Sequence, residues 1–217
     1  MIRNKYYIYA SLASFTICVA LFFPYPNNHL FDARMTFLFF PIKDGNGFIS
    51  IGVIGSSLFL VSLALLVLGL KKYYTPAVII LACAYILMPL IVISVIQQTV
   101  ASGIYSVSYD GAGKCTIEEV DAITVDGECF IKLFNHSNEA VSFRLELIDS
   151  FPPEDHAQFE SLLNLDGPIY VTLQPKEETT IHIHAKIDIS NIYNQIAIGT
   201  NHYVHIKIID GEYERIL

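Results

Sequence analysis

The stretch PAVIILACAYILMPLIVISVI, residues 76–96, contains no charged side chain and no histidine. The stretch GIYSVSY, residues 103–109, follows closely and alternates between apolar and polar side chains. An apolar run of about 20 residues is long enough to cross a bilayer as a helix, whereas a period of two is typical of a half-buried strand. The sequence therefore predicts a change from membrane helix to β-structure near residue 102.

Two earlier runs have the same character as residues 76–96. They are YYIYASLASFTICVALFF at 6–23 and GFISIGVIGSSLFLVSLALLVLGL at 47–70, and both lack Asp, Glu, Lys, Arg and His. Runs of this length exceed the core helices of ordinary soluble proteins. We therefore predict a three-helix membrane anchor in residues 1–102, with spans at about 6–23, 47–70 and 76–98. The first span is interpreted as an uncleaved signal anchor, because FFPYPNN lacks the small residues of a cleavage site.

The charges are distributed unevenly and predict the orientation of the spans. Residues 1–109 carry six basic and two acidic residues, whereas residues 110–217 carry seven basic and nineteen acidic ones. Arg3 and Lys5 precede the first span, and Lys71 and Lys72 separate the second from the third. Because Lys and Arg flanks are retained in the cytoplasm, we predict a multi-pass cell-membrane protein with a cytoplasmic N-terminus. Everything after the third span is then extracytoplasmic.

Small residues in the second span predict a packing surface. Gly52 and Ser56 are four residues apart, a spacing that lets another helix approach closely, although small residues are also frequent in membrane helices in general. The loop segment MTFLFFPI is too short to span, so we expect it at the outer interface or across the helix ends. The spans contain no ionisable group of the kind that ion paths and proton relays use. They are interpreted as an anchor or a docking surface for other helices.

The C-terminal half has the pattern of an all-β domain. Turn signals such as DGAG, VDGE, NHSNE and LQPKEE separate its strand-like segments, and PPEDHAQFESLLN at 152–164 predicts one short helical turn. About seven strands in roughly 110 residues is typical of a β-sandwich, so residues 103–217 are predicted to form an independent extracytoplasmic β-sandwich domain. The alternating segments are ECFIKLFN (128–135), AVSFRLELID (140–149), PIYVTLQ (168–174), TTIHIHAKIDI (179–189) and HYVHIKIID (202–210).

Three segments of this half resemble immunoglobulin-like modules that are tethered to membranes. FIKLFNHSNEAVSFRLELI resembles their strand–Asn–turn–strand opening, VTLQPKEETTIHIHAKI their L-x-P-x-E turn, and YVHIKIIDGEYERIL their terminal hairpin. Residues 128–217 are similar to the C-terminal domain of FixG-type oxidase accessory proteins. The resemblance implies an immunoglobulin-like β-sandwich. It carries over no redox role, because the ferredoxin-type cysteine clusters of FixG proteins are absent from this sequence.

Histidines are the candidate metal ligands. His182 and His184 are two apart in TIHIHAKIDI (180–189) and therefore share one face of a strand, and His205 points outward from its own strand. If the two strands pair, the three imidazoles share a surface that suits zinc or copper. No Cys, Asp or Glu with ligand spacing completes the set. An exposed polar strand face is the favoured interpretation, and a metal site is the alternative.

Two other features concern covalent chemistry outside the membrane. Cys115 and Cys129 are predicted to form a disulfide, because an exported domain meets an oxidising compartment. The alternative is that Cys129 is a buried thiol in an inward row with Ile131 and Leu133. Asn135, followed by His136 and Ser137, matches a glycosylation sequon at a predicted turn.

The sequence points to binding rather than catalysis. It contains no nucleophile elbow, phosphate-binding loop or zinc-protease motif, and an acidic domain does not suit nucleic acid. We expect a non-enzymatic protein without a cofactor, whose partners are the lipid bilayer and a membrane or envelope protein. Its expected role is that of an accessory or scaffold subunit. The alternative is a metal-binding or sensing protein that uses the histidine face, and the sequence identifies no small-molecule ligand.

Overall fold

The protein combines helices with antiparallel sheets. The computed structural model describes residues 2–27, 35–38, 40–44, 47–111, 113–149, 158–190, 192 and 198–217. The chain divides into two compact units, Met1–Tyr25 with Asp32–Ser94, and Pro26–Phe31 with Val95–Leu217. We call them the helical unit and the β unit, and each is described by itself.

Three α-helices account for the apolar runs: α1 (Lys5–Leu21), α2 (Ser50–Gly69) and α3 (Tyr74–Thr99). By length and composition, α2 and α3 are able to cross a membrane. Helix α1 has 17 residues and is about 26 Å long at 1.5 Å per residue, which is shorter than the predicted span 6–23. It begins after Asn4, whose side-chain oxygen accepts a hydrogen bond from the Tyr6 N–H at 3.0 Å and so caps the first turn.

Helices α1 and α2 lie antiparallel and in close contact. The backbone N–H groups of Arg3 and Asn4 donate to the Gly69 carbonyl at 2.8 and 3.1 Å. Two turns further along the helix pair, Ser11 and Ser62 each donate a hydroxyl hydrogen bond to the other's carbonyl, at 2.7 and 2.9 Å. Because the start of α1 meets the end of α2, the basic residues beside both points are located at the same end of the helix pair.

The loop between α1 and α2 forms a small three-stranded sheet: β1 (Met35–Phe37), β2 (Phe40–Asp44) and β3 (Gly47–Phe48). Phe40 is fully buried. Its ring lies 4.7 Å from the ring of Phe22 and 5.2 Å from that of Tyr85, measured between centroids. The apolar segment MTFLFFPI therefore contributes to the core of the helical unit.

Within its described residues, the β unit contains two antiparallel sheets. Their strands are β4 (Val107–Tyr109), β5 (Lys114–Asp121), β6 (Thr124–Asn135), β7 (Val141–Ile148), β8 (Ile169–Leu173), β9 (Glu178–Asp188), β10 (Gly199–Asn201), β11 (His205–Asp210) and β12 (Tyr213–Ile216). In the five-stranded sheet, β6 pairs along one side with β9 and along the other with β5 and β4, while β10 pairs with the outer edge of β5. The four-stranded sheet has the order β12-β11-β7-β8.

Both sheets contribute to one hydrophobic core. The alternating inward residues of β6, such as Ile131 and Leu133, belong to the same buried cluster as Leu145 of β7 and Ile206 of β11. A 3-10 helix, Glu160–Asp166, adds Leu162 and Leu163 to this cluster. It includes the end of the predicted helical turn 152–164, and residues 150–157 lie outside the described part of the chain.

Gly127 marks the place where the sequence prediction of the strands is wrong. The segment VDGE was predicted as a turn, but it lies inside β6, and Gly127 pairs with Ile117 of β5. A Cβ atom at position 127 would lie 2.9 Å from Leu163 Cδ2 and 3.0 Å from Ile117 Cδ1. The glycine therefore marks a place inside a strand where the ends of two core side chains pack closely over the backbone, and not a turn.

Tyr109 links strand β4 to the residue before β11. Its hydroxyl donates to the Val204 carbonyl at 2.7 Å and accepts from the Gly113 N–H at 3.0 Å. Burial raises the pKa of this tyrosine to about 12. The phenol therefore stays neutral and maintains a hydrogen-bonded connection between the two sheets.

Candidate functional site

His182 and His184 lie on the outer face of the five-stranded sheet, and each has a carboxylate beside it. His182 Nε2 is 2.7 Å from Glu128 Oε1, and His184 Nε2 is 2.9 Å from Asp126 Oδ1. The Phe130 ring stacks on the His182 ring with 4.6 Å between centroids. Both histidine side chains are about half exposed, at 51% and 50%. The arrangement is an exposed ladder of paired polar groups.

His205 is not brought to the other two histidines. It lies on β11 opposite Ile148 of the four-stranded sheet, whereas β9 pairs with β6 of the five-stranded sheet. Strands β9 and β11 therefore do not pair with each other, and the three histidines do not share one surface. Among the described residues, no three His, Cys, Asp or Glu side chains are grouped so that they could hold a metal ion.

We predict that the histidine face has no tight metal site. The Nε2 atom of His182 is hydrogen-bonded to Glu128, and that of His184 lies 2.9 Å from an Asp126 oxygen, so a metal would have to displace both carboxylates from these nitrogens. Calorimetric titration of the full chain with Zn²⁺ or Cu²⁺ should reveal no site tighter than micromolar. Replacing both histidines by glutamine should change the free energy of unfolding by less than about 0.5 kcal/mol, as is usual for exposed positions. A tight, stoichiometric site that this double substitution abolishes would contradict the prediction.

Cys115 and Cys129 are joined by a disulfide in the structure. They face each other directly on β5 and β6, and both are fully buried. Cys129 also belongs to the inward row with Ile131 and Leu133, so the bridge and the buried position occur together. In the chain-entropy model, closing a loop of this size stabilises the folded state by about 3 kcal/mol.

Mass spectrometry can measure this bridge in the isolated protein. Fresh full-length chain, unfolded and alkylated without reduction, should carry two alkyl groups, on Cys18 and Cys83, which are free in the structure. Prior reduction should raise the number to four. Replacing both Cys115 and Cys129 by alanine should lower the free energy of unfolding of the β unit by about 3 kcal/mol. Four alkyl groups without reduction would show that the bridge does not form.

Asn135, the acceptor position of the sequon, is buried in the folded domain. Its side chain is 0% exposed. The amide nitrogen Nδ2 donates to the carbonyls of Glu139 and Gln174 at 2.8 and 3.0 Å, and Oδ1 accepts from the Ser137 N–H at 2.9 Å. The amide fixes the turn after β6 against the turn after β8, so a glycan at this nitrogen is incompatible with the fold.

His136 lies within this turn and is held in its neutral form. Burial, together with the nearby positive charge of Lys176, lowers the pKa of the imidazole. Its Nε2 lies 2.9 Å from the Ser108 hydroxyl on β4. The residue therefore acts as a hydrogen-bonding group between adjacent strands and is unsuited to serve as a charged site at neutral pH.

Gly52 packs against strand β2 and Ser56 contacts strand β1, so the neighbour of this pair is the loop sheet and not another helix. A Cβ atom on Gly52 would lie 1.6 Å from the Pro41 carbonyl oxygen. The Ser56 hydroxyl donates to the Gly52 carbonyl at 2.9 Å and lies 3.2 Å from the Phe37 carbonyl oxygen. The predicted close approach does occur, but the segment that approaches is the loop sheet.

The contact between α1 and α2 uses small residues whose heptad spacing did not enter the sequence prediction. Gly55 meets Cys18, Ser62 meets Ser11, and Gly69 meets the backbone of Asn4. The positions on each helix are seven residues apart, as in the seam of a coiled coil. A search for small residues at heptad spacing in both spans would have found this seam.

No family model, curated protein or solved structure matches this chain.

Proposed function

We propose that this chain is a non-enzymatic integral membrane protein that carries an acidic, immunoglobulin-like β-sandwich outside the cytoplasm. In this proposal it is an accessory or scaffold subunit for a membrane or envelope protein. The observation that carries the proposal is the exposed apolar surface of α3. Ile79, Ile80, Leu87, Ile91 and Val95 are each more than half exposed, and a surface of this size and character suits lipid or other helices.

Two features support the orientation. The antiparallel contact of α1 with α2 collects Arg3, Lys5, Lys71 and Lys72 at one end of the helix pair, as the cytoplasmic retention of basic flanks requires. The disulfide between Cys115 and Cys129 belongs to an oxidising compartment. Both features favour a cytoplasmic N-terminus and an exported β unit.

The arrangement of the β unit supports the immunoglobulin-like assignment. Two antiparallel sheets share one core, which is the layer architecture of such domains. The strand–Asn–turn–strand segment places Asn135 at the turn between β6 and β7. The resemblance to the C-terminal domain of FixG-type accessory proteins remains part of the proposal and motivates the accessory role.

Binding is favoured over metal handling. The two histidines of β9 have carboxylates as partners, and further exposed charges on the sheets pair with each other, as Lys132 does with Glu178 at 2.7 Å. Paired surface charges of this kind contribute little to stability and are compatible with a contact surface. No observation favours a metal-binding function, so it is not proposed as a second role.

Purification after cross-linking in intact cells tests the proposed role. Tagged full-length chain, fixed with a short amine-reactive reagent and extracted in detergent, should carry one membrane or envelope protein in a fixed ratio to the chain. The same protocol with untagged chain sets the background. Recovery of the chain alone, at every level of cross-linking that preserves known membrane complexes of the same cells, would contradict the role.

A further inference from the structure

The hairpin between β5 and β6 ends in a tip with two exposed aliphatic side chains. The strand register shifts between Glu119 and Asp121, so Val120 is the extra residue of a β-bulge. Bulges redirect a side chain away from the regular pleat. Val120 is 52% exposed, and Ile123, in the turn itself, is 54% exposed.

Hydrogen bonds hold this tip in one conformation. The Asp121 carboxylate accepts from the Ile123 N–H at 2.9 Å, which closes an Asx turn. The Ile123 carbonyl accepts from the Ile189 N–H at 2.8 Å, beyond the end of β9. A tip that is already ordered loses little conformational entropy when another surface covers it.

Negative charge surrounds the aliphatic tip. Residues 117–128 contain five acidic residues and no Lys or Arg. Glu118, Glu119 and Asp121 are all exposed. Asp188, paired across the sheet with Thr124, accepts a hydrogen bond from the Ser190 N–H at 2.9 Å that lowers its pKa and keeps it ionised. The tip is thus an apolar centre with an anionic rim.

We propose that Val120 and Ile123 form a docking tip for a protein whose contact surface is an apolar pocket rimmed by Lys and Arg. The inference rests on the proposed accessory function and names the surface that performs it. Apolar anchors at the centre of an interface supply most of the binding energy, and complementary charges at its rim raise the association rate and fix the partner. The carboxylates oppose docking on an anionic bilayer surface.

Site-specific photo-cross-linking tests the tip. A photoreactive amino acid replaces Ile123 in the full chain, in cells, and a second chain carries it at Leu165. Leu165 is 61% exposed and lies on the 3-10 helix, outside the β5–β6 hairpin itself, which makes it a control for surface exposure alone. We expect a protein adduct from position 123 and none from position 165, and the cross-linked partner peptide should contain apolar residues with Lys or Arg beside them.

Substitutions separate the contribution of the two aliphatic side chains from that of the surrounding carboxylates. Val120→Ser with Ile123→Ser should reduce the amount of co-purified partner by about tenfold or more, whereas Leu165→Ser should not. Glu118→Gln, Glu119→Gln and Asp121→Asn together should weaken binding chiefly at low salt, because salt screens the lost charge–charge attraction. Asparagine at position 121 retains the oxygen that closes the turn, so the conformation of the tip should not change. Circular dichroism of each variant, together with alkylation of only two cysteines, checks that the domain keeps its strands and its disulfide.

The outcomes distinguish this inference from the proposed function. A partner that co-purifies unchanged with the Val120→Ser, Ile123→Ser chain would overturn the docking tip and leave the accessory role standing. The absence of any partner would overturn both. A lipid adduct in place of a protein adduct at position 123 would overturn the tip's assignment to a protein.

Discussion

Replacing Asn135 by alanine is expected to lower the free energy of unfolding of the β unit by about 3–4 kcal/mol. The substitution leaves the carbonyls of Glu139 and Gln174 and the N–H of Ser137 without their buried partner. Each of the three lost hydrogen bonds is worth about 1 kcal/mol, and the lost amide also leaves a cavity. Against a total stability of about 5–15 kcal/mol for a domain, this is a large loss. Chemical unfolding of the full chain in detergent, followed by circular dichroism, measures it.

The same turn supplies the control. Asn138 is exposed, so Asn138→Ala should change the free energy of unfolding by less than about 0.5 kcal/mol. Asn135→Asp keeps the shape but replaces the donor by a carboxylate facing carbonyls, and should be at least as destabilising as alanine. Equal stability of Asn135→Ala and Asn138→Ala would show that the buried amide does not fix the turns.

Arg215→Met should destabilise the β unit by a similar amount, about 3–5 kcal/mol. Arg215 lies on β12 and is 3% exposed. Its Nε donates to the Pro26 carbonyl at 2.6 Å, and Nη1 to the carbonyls of Ile104 and Val107 at 3.0 and 2.6 Å. Hydrogen bonds from a charged donor are worth about 1.5–3 kcal/mol each, and methionine replaces none of them. The guanidinium thus joins the backbone at Pro26 and the backbone at Ile104 and Val107 to strand β12 by hydrogen bonds.

A second arginine provides the comparison for this variant. Arg144 on β7 is 42% exposed and pairs with Glu146 at 2.8 Å. Exposed ion pairs of this kind contribute about 0–1 kcal/mol, so Arg144→Met should have a small effect. The stability cost of Arg215→Lys should lie between the costs of Arg215→Met and Arg144→Met, because lysine keeps the charge but lacks the planar, multi-donor guanidinium group. A cost for Arg215→Met no greater than that for Arg144→Met would contradict the account.

Strands with regular alternation were predictable, whereas strands that carry acids or glycine were not. Segments such as AVSFRLELID and TTIHIHAKIDI correspond to β7 and β9 because every second side chain enters the core. Strand β5 was missed because Glu118, Glu119 and Asp121 have low β-propensity. It forms because Cys115 and Ile117 face the core, so tertiary burial outweighs local preference.

Residues of the candidate surfaces were only partly predictable, because local spacing gives the face on which a residue lies but not the element that faces it. Strand periodicity placed His182 and His184 together on an outer face, but it does not determine which strands pair, and His205 belongs to the other sheet. In the helical unit, the i, i+4 spacing of Gly52 and Ser56 indicated a close approach without identifying the loop sheet as the neighbour. The sequon at Asn135 describes a local motif, and only the fold shows that the amide is buried.

The side of the membrane on which the β unit lies is the most direct test of the proposed function. Single cysteines in place of Asn138 and Lys72, both exposed, are introduced into a chain with Cys18→Ala and Cys83→Ala, which keeps the disulfide and removes the free thiols. A membrane-impermeant maleimide is added to intact cells, and permeabilised cells serve as the reference for both positions. The account predicts labelling at position 138 and protection at position 72 until the membrane is permeabilised. Labelling at 72 with protection at 138, or equal labelling of both in intact cells, would contradict it.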